Sequence, residues 1–133
     1  MTIAENIAHI RSQMAQAAIT AGRNPEDILL CAATKMNDSD RVRQAIAAGV
    51  DCCGENRVQE LTAKMADNAY VGAPVHFIGH LQTNKVKQVV GKVDLIQSVD
   101  SPSFHQIQTC VPFFRLIPML LSAVQQSCLS WHL

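Results

Sequence analysis

The sequence predicts an α/β fold built on parallel strands. Two observations carry that expectation. Short apolar runs bounded by turn residues alternate with segments of helical apolar spacing, and polar or glycine clusters fall just after the runs. Such alternation implies right-handed crossovers between neighbouring strands. The clusters are Lys35, Gly54-Glu55-Asn56, Gly79-His80 and Asp100-Ser101. In parallel α/β folds that end of the sheet hosts the site, because loops converge there and helix N-termini point at it.

The elements follow in order. Thr2 and Glu5 have capping-box spacing, and Ile3, Ile7, Ile10, Met14 and Ala17 form one apolar stripe of a helix ending near Gly22. Asn24-Pro25-Glu26-Asp27 reads as a turn. Ile28 to Ala33 is short enough for a buried strand. Asp38-Ser39-Asp40 opens a second helix, with Val42, Ala45 and Ile46 inward and Gly49 as its stop. Val50 to Cys53 is the second strand. Val58, Leu61 and Met65 mark the third helix, and Val75 to Ile78 the third strand. Thr83 is expected to cap a fourth helix carrying Val86, Val89 and Val90, stopped by Gly91. Asp94 to Val99 is the fourth strand.

Composition narrows the function classes. The chain has 133 residues, 48% hydrophobic and 17% charged, which suits a folded domain rather than disorder. A net formal charge of zero gives no support for broad electrostatic binding of nucleic acid or an anionic membrane. The five cysteines form no C-x-x-C pair and no His/Cys cluster at zinc spacing, so no metal site is expected. With no basic-then-apolar leader at the N-terminus, a reducing cytoplasm with free thiols is the expected setting. P-loop, G-x-G-x-x-G, G-x-S-x-G and H-E-x-x-H patterns are absent.

On spacing alone, Lys35 reads first as a strand-end charge reaching water. The functional reading is an amine at the mouth of an α/β barrel, desolvated enough to attack an aldehyde. Gly54-Glu55-Asn56 reads as a tight turn with an N-cap before it reads as a ligand contact. His76 lies in a strand pattern and is expected to pack. His80, in a loop after Gly79, is the better candidate for a ligand hydrogen bond. Lys85 and Lys87 belong on a solvated helix face.

Four blocks carry a resemblance: "CAATK" at 31–35, "AIAAGVDCCGENRVQEL" at 45–61, "HFIGHLQTNKVK" at 76–87 and "VDLIQSVDS" at 93–101. In order and spacing they resemble the pyridoxal-phosphate homeostasis proteins, relatives of the N-terminal barrel of alanine racemase. The resemblance implies a (β/α)8 TIM-type barrel of which residues 1–101 are the first half. It implies pyridoxal 5'-phosphate held as a Schiff base on Lys35, with Asn56 and His80 near it, and a cofactor buffer rather than an enzyme. Racemase activity is not expected, since no second base is identifiable. Where many members carry a second lysine and a proline after the cofactor lysine, this chain has Met36-Asn37-Asp38.

After Ser101 the resemblance stops. Residues 102–133 hold only one charged residue, Arg115, and three of the four phenylalanines. This apolar tail reads as a frame-shifted translation, with a natural truncation or a partner-binding segment as alternatives. Its apolar stretch from Val111 to Val124 contains Pro112, Arg115 and Pro118 and is shorter than the about 20 residues of a membrane span. Four strands would leave the first and fourth as open edges. Cofactor binding is then expected to be impaired, because the family's phosphate cradle lies in the absent half. The alternative is an interaction-only remnant that associates through those edges and the tail.

Overall fold

The structure is a computed structural model, and it describes residues 1–98 together with the strand pair Arg115–Leu116. Helix α1 spans Ile3–Thr20, α2 Ser39–Ala47, α3 Val58–Ala66 and α4 Val86–Val89. Strands are β1 Cys31–Ala33, β2 Cys52–Glu55, β3 Val75–Phe77, β4 Leu95–Ile96 and β5 Arg115–Leu116. The sheet order is β1-β2-β3-β4-β5, with all four pairings parallel. Sequential order in a parallel sheet is the winding expected of a barrel segment.

Local chemistry explains most boundaries. The Thr2 hydroxyl accepts from the Glu5 backbone N–H at 3.2 Å, and the Glu5 carboxylate accepts from the Thr2 N–H at 2.7 Å. Asp38 caps α2 by accepting from the Arg41 N–H at 2.8 Å. Gly49, at φ 92°, turns the chain out of α2 in the left-handed region where glycine is at no disadvantage. Asn24 caps a 3-10 turn at Pro25–Asp27, where the sequence predicts a turn.

Strand alternation sorts the sheet into two faces. Cys53, Val75, Phe77 and Ile96 face the helices and pack with Val42, Val58, Leu61, Leu81, Val86 and Val89 in the main core. The other face carries Cys31, Ala33, Cys52, Gly54, His76 and Leu95 by the same alternation. In a closed barrel that face is the interior.

Several expectations change. The first strand is not buried: Cys31 and Ala33 are exposed, because β1 pairs with β2 alone among the described residues. The stripe of α1 turns onto Ala18 rather than Ala17, which is exposed. Thr83 is not a cap; it is the first residue of a 3-10 turn, Thr83–Lys85, that runs into the single turn of α4. The Gly54-Glu55-Asn56 stretch is not a capped tight turn, because Gly54 and Glu55 complete β2 and α3 starts from Arg57 without a side-chain cap. The fourth strand is not an edge, since β5 pairs with it from a tail in which no strand is predicted. The rest of that tail lies outside the described residues.

Candidate functional site

The C-terminal ends of β1 to β4 come together at one rim. Backbone bonds extend the ladder past the strands: Thr34 N–H to Gly54 C=O at 2.9 Å, Ile78 N–H to Glu55 C=O at 2.8 Å, and Gln97 N–H to Phe77 C=O at 3.0 Å. Lys35, Asn56, Gly79 and His80 follow directly on these ends. By strand alternation Lys35 continues the side of Cys31 and Ala33, towards the barrel interior. It is half-buried, and its carbonyl accepts from the Asn37 amide at 3.0 Å.

Gly79 sets the width of the rim. A Cβ there would lie 2.6 Å from the Asn56 carbonyl oxygen and 2.7 Å from its Cα. Only glycine lets the loop after β3 lie this close to the end of β2. Asn56 is half-buried, and its Oδ1 is buried without a hydrogen-bond partner. A buried acceptor left open costs free energy unless something fills it, so Asn56 offers a ligand a ready contact. His80 is exposed at the same rim.

Behind Lys35 stands a polar cluster that sequence reading missed. Glu55, fully buried, uses Oε1 to accept from the Thr34 hydroxyl at 2.7 Å, the Lys64 ammonium at 2.6 Å and the Tyr70 hydroxyl at 2.8 Å. Lys64 also donates to the Thr34 carbonyl at 2.7 Å and reaches Glu60 at 3.4 Å. Glu60 accepts from the Met36 N–H at 2.8 Å. The residues on both sides of Lys35 are therefore tied to one network. The Met36 N–H and the Lys64 ammonium hold the Glu60 carboxyl below its ordinary pKa. Burial, followed by the Glu55 contact, raises the pKa of the Tyr70 phenol, so it stays a donor.

Met36 sits at φ 60°, a left-handed conformation that a non-glycine residue adopts at a cost of about 1–2 kcal/mol. The bond to Glu60 helps hold it there, and the turn lifts the chain away immediately after Lys35. The arrangement fixes the backbone on either side of an amine and leaves that amine at a rim. That is what covalent capture of an aldehyde needs. The amine and the open Asn56 acceptor fit a pyridine-aldehyde cofactor at this rim.

No family model matches the chain. It is similar to the pyridoxal phosphate homeostasis protein of Pseudomonas aeruginosa, 40% identical over 99 residues, which are 74% of this chain and 43% of the relative. It is similar to that of Escherichia coli at 38% identity over 101 residues, again 74% of this chain and 43% of the relative. Among solved structures it matches PipY of Synechococcus elongatus with PLP bound, at TM-score 0.66 and 37% identity, covering 79% of this chain and 45% of that one. PipY without PLP matches at TM-score 0.71 and 34% identity, over 86% of this chain and 52% of that one. The match is to the N-terminal part of that barrel. The chain thus spans less than half the length of these curated relatives.

Proposed function

Because the chain is related to the pyridoxal phosphate homeostasis proteins across about three quarters of its own length, we propose that it binds pyridoxal 5'-phosphate as a Schiff base on Lys35. Condensation of the neutral Lys35 amine with the cofactor aldehyde releases one water. The observation that carries this reading is the anchoring of Thr34 and Met36 on either side of Lys35, at a rim that also presents Asn56. When bound, the cofactor supplies an electrophilic ring and a phosphate anion. Asn56 offers a hydrogen bond, and His80 borders the same opening. Residues 1–101 carry this role; residues 102–133 are read as a divergent tail.

The role is that of a carrier rather than an enzyme: the relatives are named for homeostasis of the cofactor, not for a reaction. The free thiols Cys31, Cys52 and Cys53 suit a reducing compartment such as the cytoplasm. Among the described residues, no helix is long and apolar enough to cross a membrane.

Loading the purified chain with pyridoxal phosphate and reducing it with borohydride tests the assignment. Peptide mass spectrometry should place the label on Lys35, and Lys35→Ala should lose it. Equal labelling of that variant, or a label spread over Lys85, Lys87 and Lys92, would sink the site.

A further inference from the structure

Three strands bring together a group that no spacing rule detects. Cys31 and Cys52 are register partners across β1 and β2. His76 lies on the neighbouring β3, paired with Gly54 two residues beyond Cys52. One ligand atom from each of Cys31, Cys52 and His76 lies within 4.8 Å of the others. Strand rise puts this group about 13 Å from Lys35 along β1, deeper on the interior face and separate from the rim.

We propose that Cys31, Cys52 and His76 form a binding site for a soft divalent cation of the zinc class. Two thiolates and an imidazole are a preferred donor set for zinc, and three protein ligands leave a fourth position for water. Bonds of about 2.3 Å to sulfur and about 2.1 Å to nitrogen would draw the ligand atoms to roughly 3.6–3.8 Å apart, a closure of about 1 Å. The thiols can supply that by side-chain rotation.

Two further features fit. A Cβ at Gly54 would lie 3.2 Å from the Cys31 sulfur and 2.8 Å from the end of Ile78. Glycine at that position keeps open the space into which the Cys31 sulfur leans. Gln97 holds the His76 ring, its amide nitrogen 3.1 Å from Nδ1. That leaves Nε2 for an ion; a flipped Gln97 amide would then accept from Nδ1–H, the outer contact metal-bound imidazoles commonly make. Cys31 is exposed, so an ion can arrive from water. On binding, both thiols lose their protons to solvent, and no electron moves.

The test uses the full chain carrying Cys110→Ser and Cys128→Ser, which removes the tail thiols. Cobalt(II) is titrated first and then displaced with zinc. The expected result is one ion per chain, a sulfur-to-cobalt charge-transfer band, and two protons released per ion. Cys31→Ala, at an exposed position that does not threaten folding, should weaken binding at least tenfold with an unchanged circular dichroism spectrum. Cys52→Ser and His76→Ala should do the same. An unchanged cobalt spectrum in Cys31→Ala would overturn the site, as would binding that moves to Cys53.

Discussion

At the scale of single residues, Lys35 is placed by its neighbours. Its chemistry is ordinary; what differs from a surface lysine is that Thr34 and Met36 are both held. Glu60 is the accessible handle on that arrangement. Its folded pKa is depressed below 4.5, chiefly by the Met36 N–H. A depressed carboxylate contributes stability that is present above its unfolded pKa and lost as pH falls through the folded one. The Met36 amide resonance should therefore shift in an acid titration with a midpoint below 4.5. Glu60→Gln should remove that titration. A midpoint at or above 4.5 would break the link between Glu60 and the turn after Lys35. The place of Lys35 at a strand end was legible from the apolar run before it, but spacing alone made it a surface charge; its reading as a cofactor lysine came from the resemblance. Its supporting residues were not, because nothing in a sequence says that a carboxylate at the end of a strand points away from the site and into the core.

At the scale of elements, the strand–helix order and most boundaries followed from apolar spacing and cap chemistry. What failed was decided by packing. Ala17 and Ala18 are indistinguishable as small apolar residues, and only the contact of α1 with the rest of the fold selects Ala18. Helix α3 shows a signal that could have been read: Lys64 follows Leu61 by three residues and Val58 by six, on the apolar stripe. A lysine there must be paired inside, and it is, to Glu55 at 2.6 Å. That pair ties α3 to the ends of β1 and β2. Both side chains are almost wholly buried, 8% and 0% exposed, so removing one partner strands a charge. Lys64→Met should cost about 3–5 kcal/mol in chemical denaturation. Lys64→Met combined with Glu55→Gln should recover part of this, because glutamine is uncharged and still accepts from Thr34 and Tyr70. A double variant as unstable as the sum of its two singles would show that the two groups are not coupled. The Cys31–Cys52–His76 group was invisible for a related reason. Its ligands are distant in the chain and meet only through strand register.

At the scale of the whole molecule, the described sheet is open, with β1 at one edge and β5 at the other. A closed barrel gives every strand two neighbours, whereas β1 has one among the described residues. Thr34 N–H bonds towards β2, so by alternation the Ala33 N–H points outward along the free edge. Ala33 and Cys31 are exposed on the interior face, and Leu29 just before them is 67% exposed. An edge with unpaired backbone groups beside apolar surface is a template for another strand. This is the observation that favours association as a second behaviour of the chain, alongside the proposed cofactor binding. Sedimentation velocity over a concentration series should show reversible growth in mass. Ala33→Lys should shift that growth to higher concentration, because a charged side chain on an edge strand opposes strand addition. The substitution is at an exposed position, so its circular dichroism should match the parent. If Ala33→Lys associates as readily as the parent, the β1 edge is not the contact. If the parent stays monomeric at every concentration, the open sheet is not adhesive.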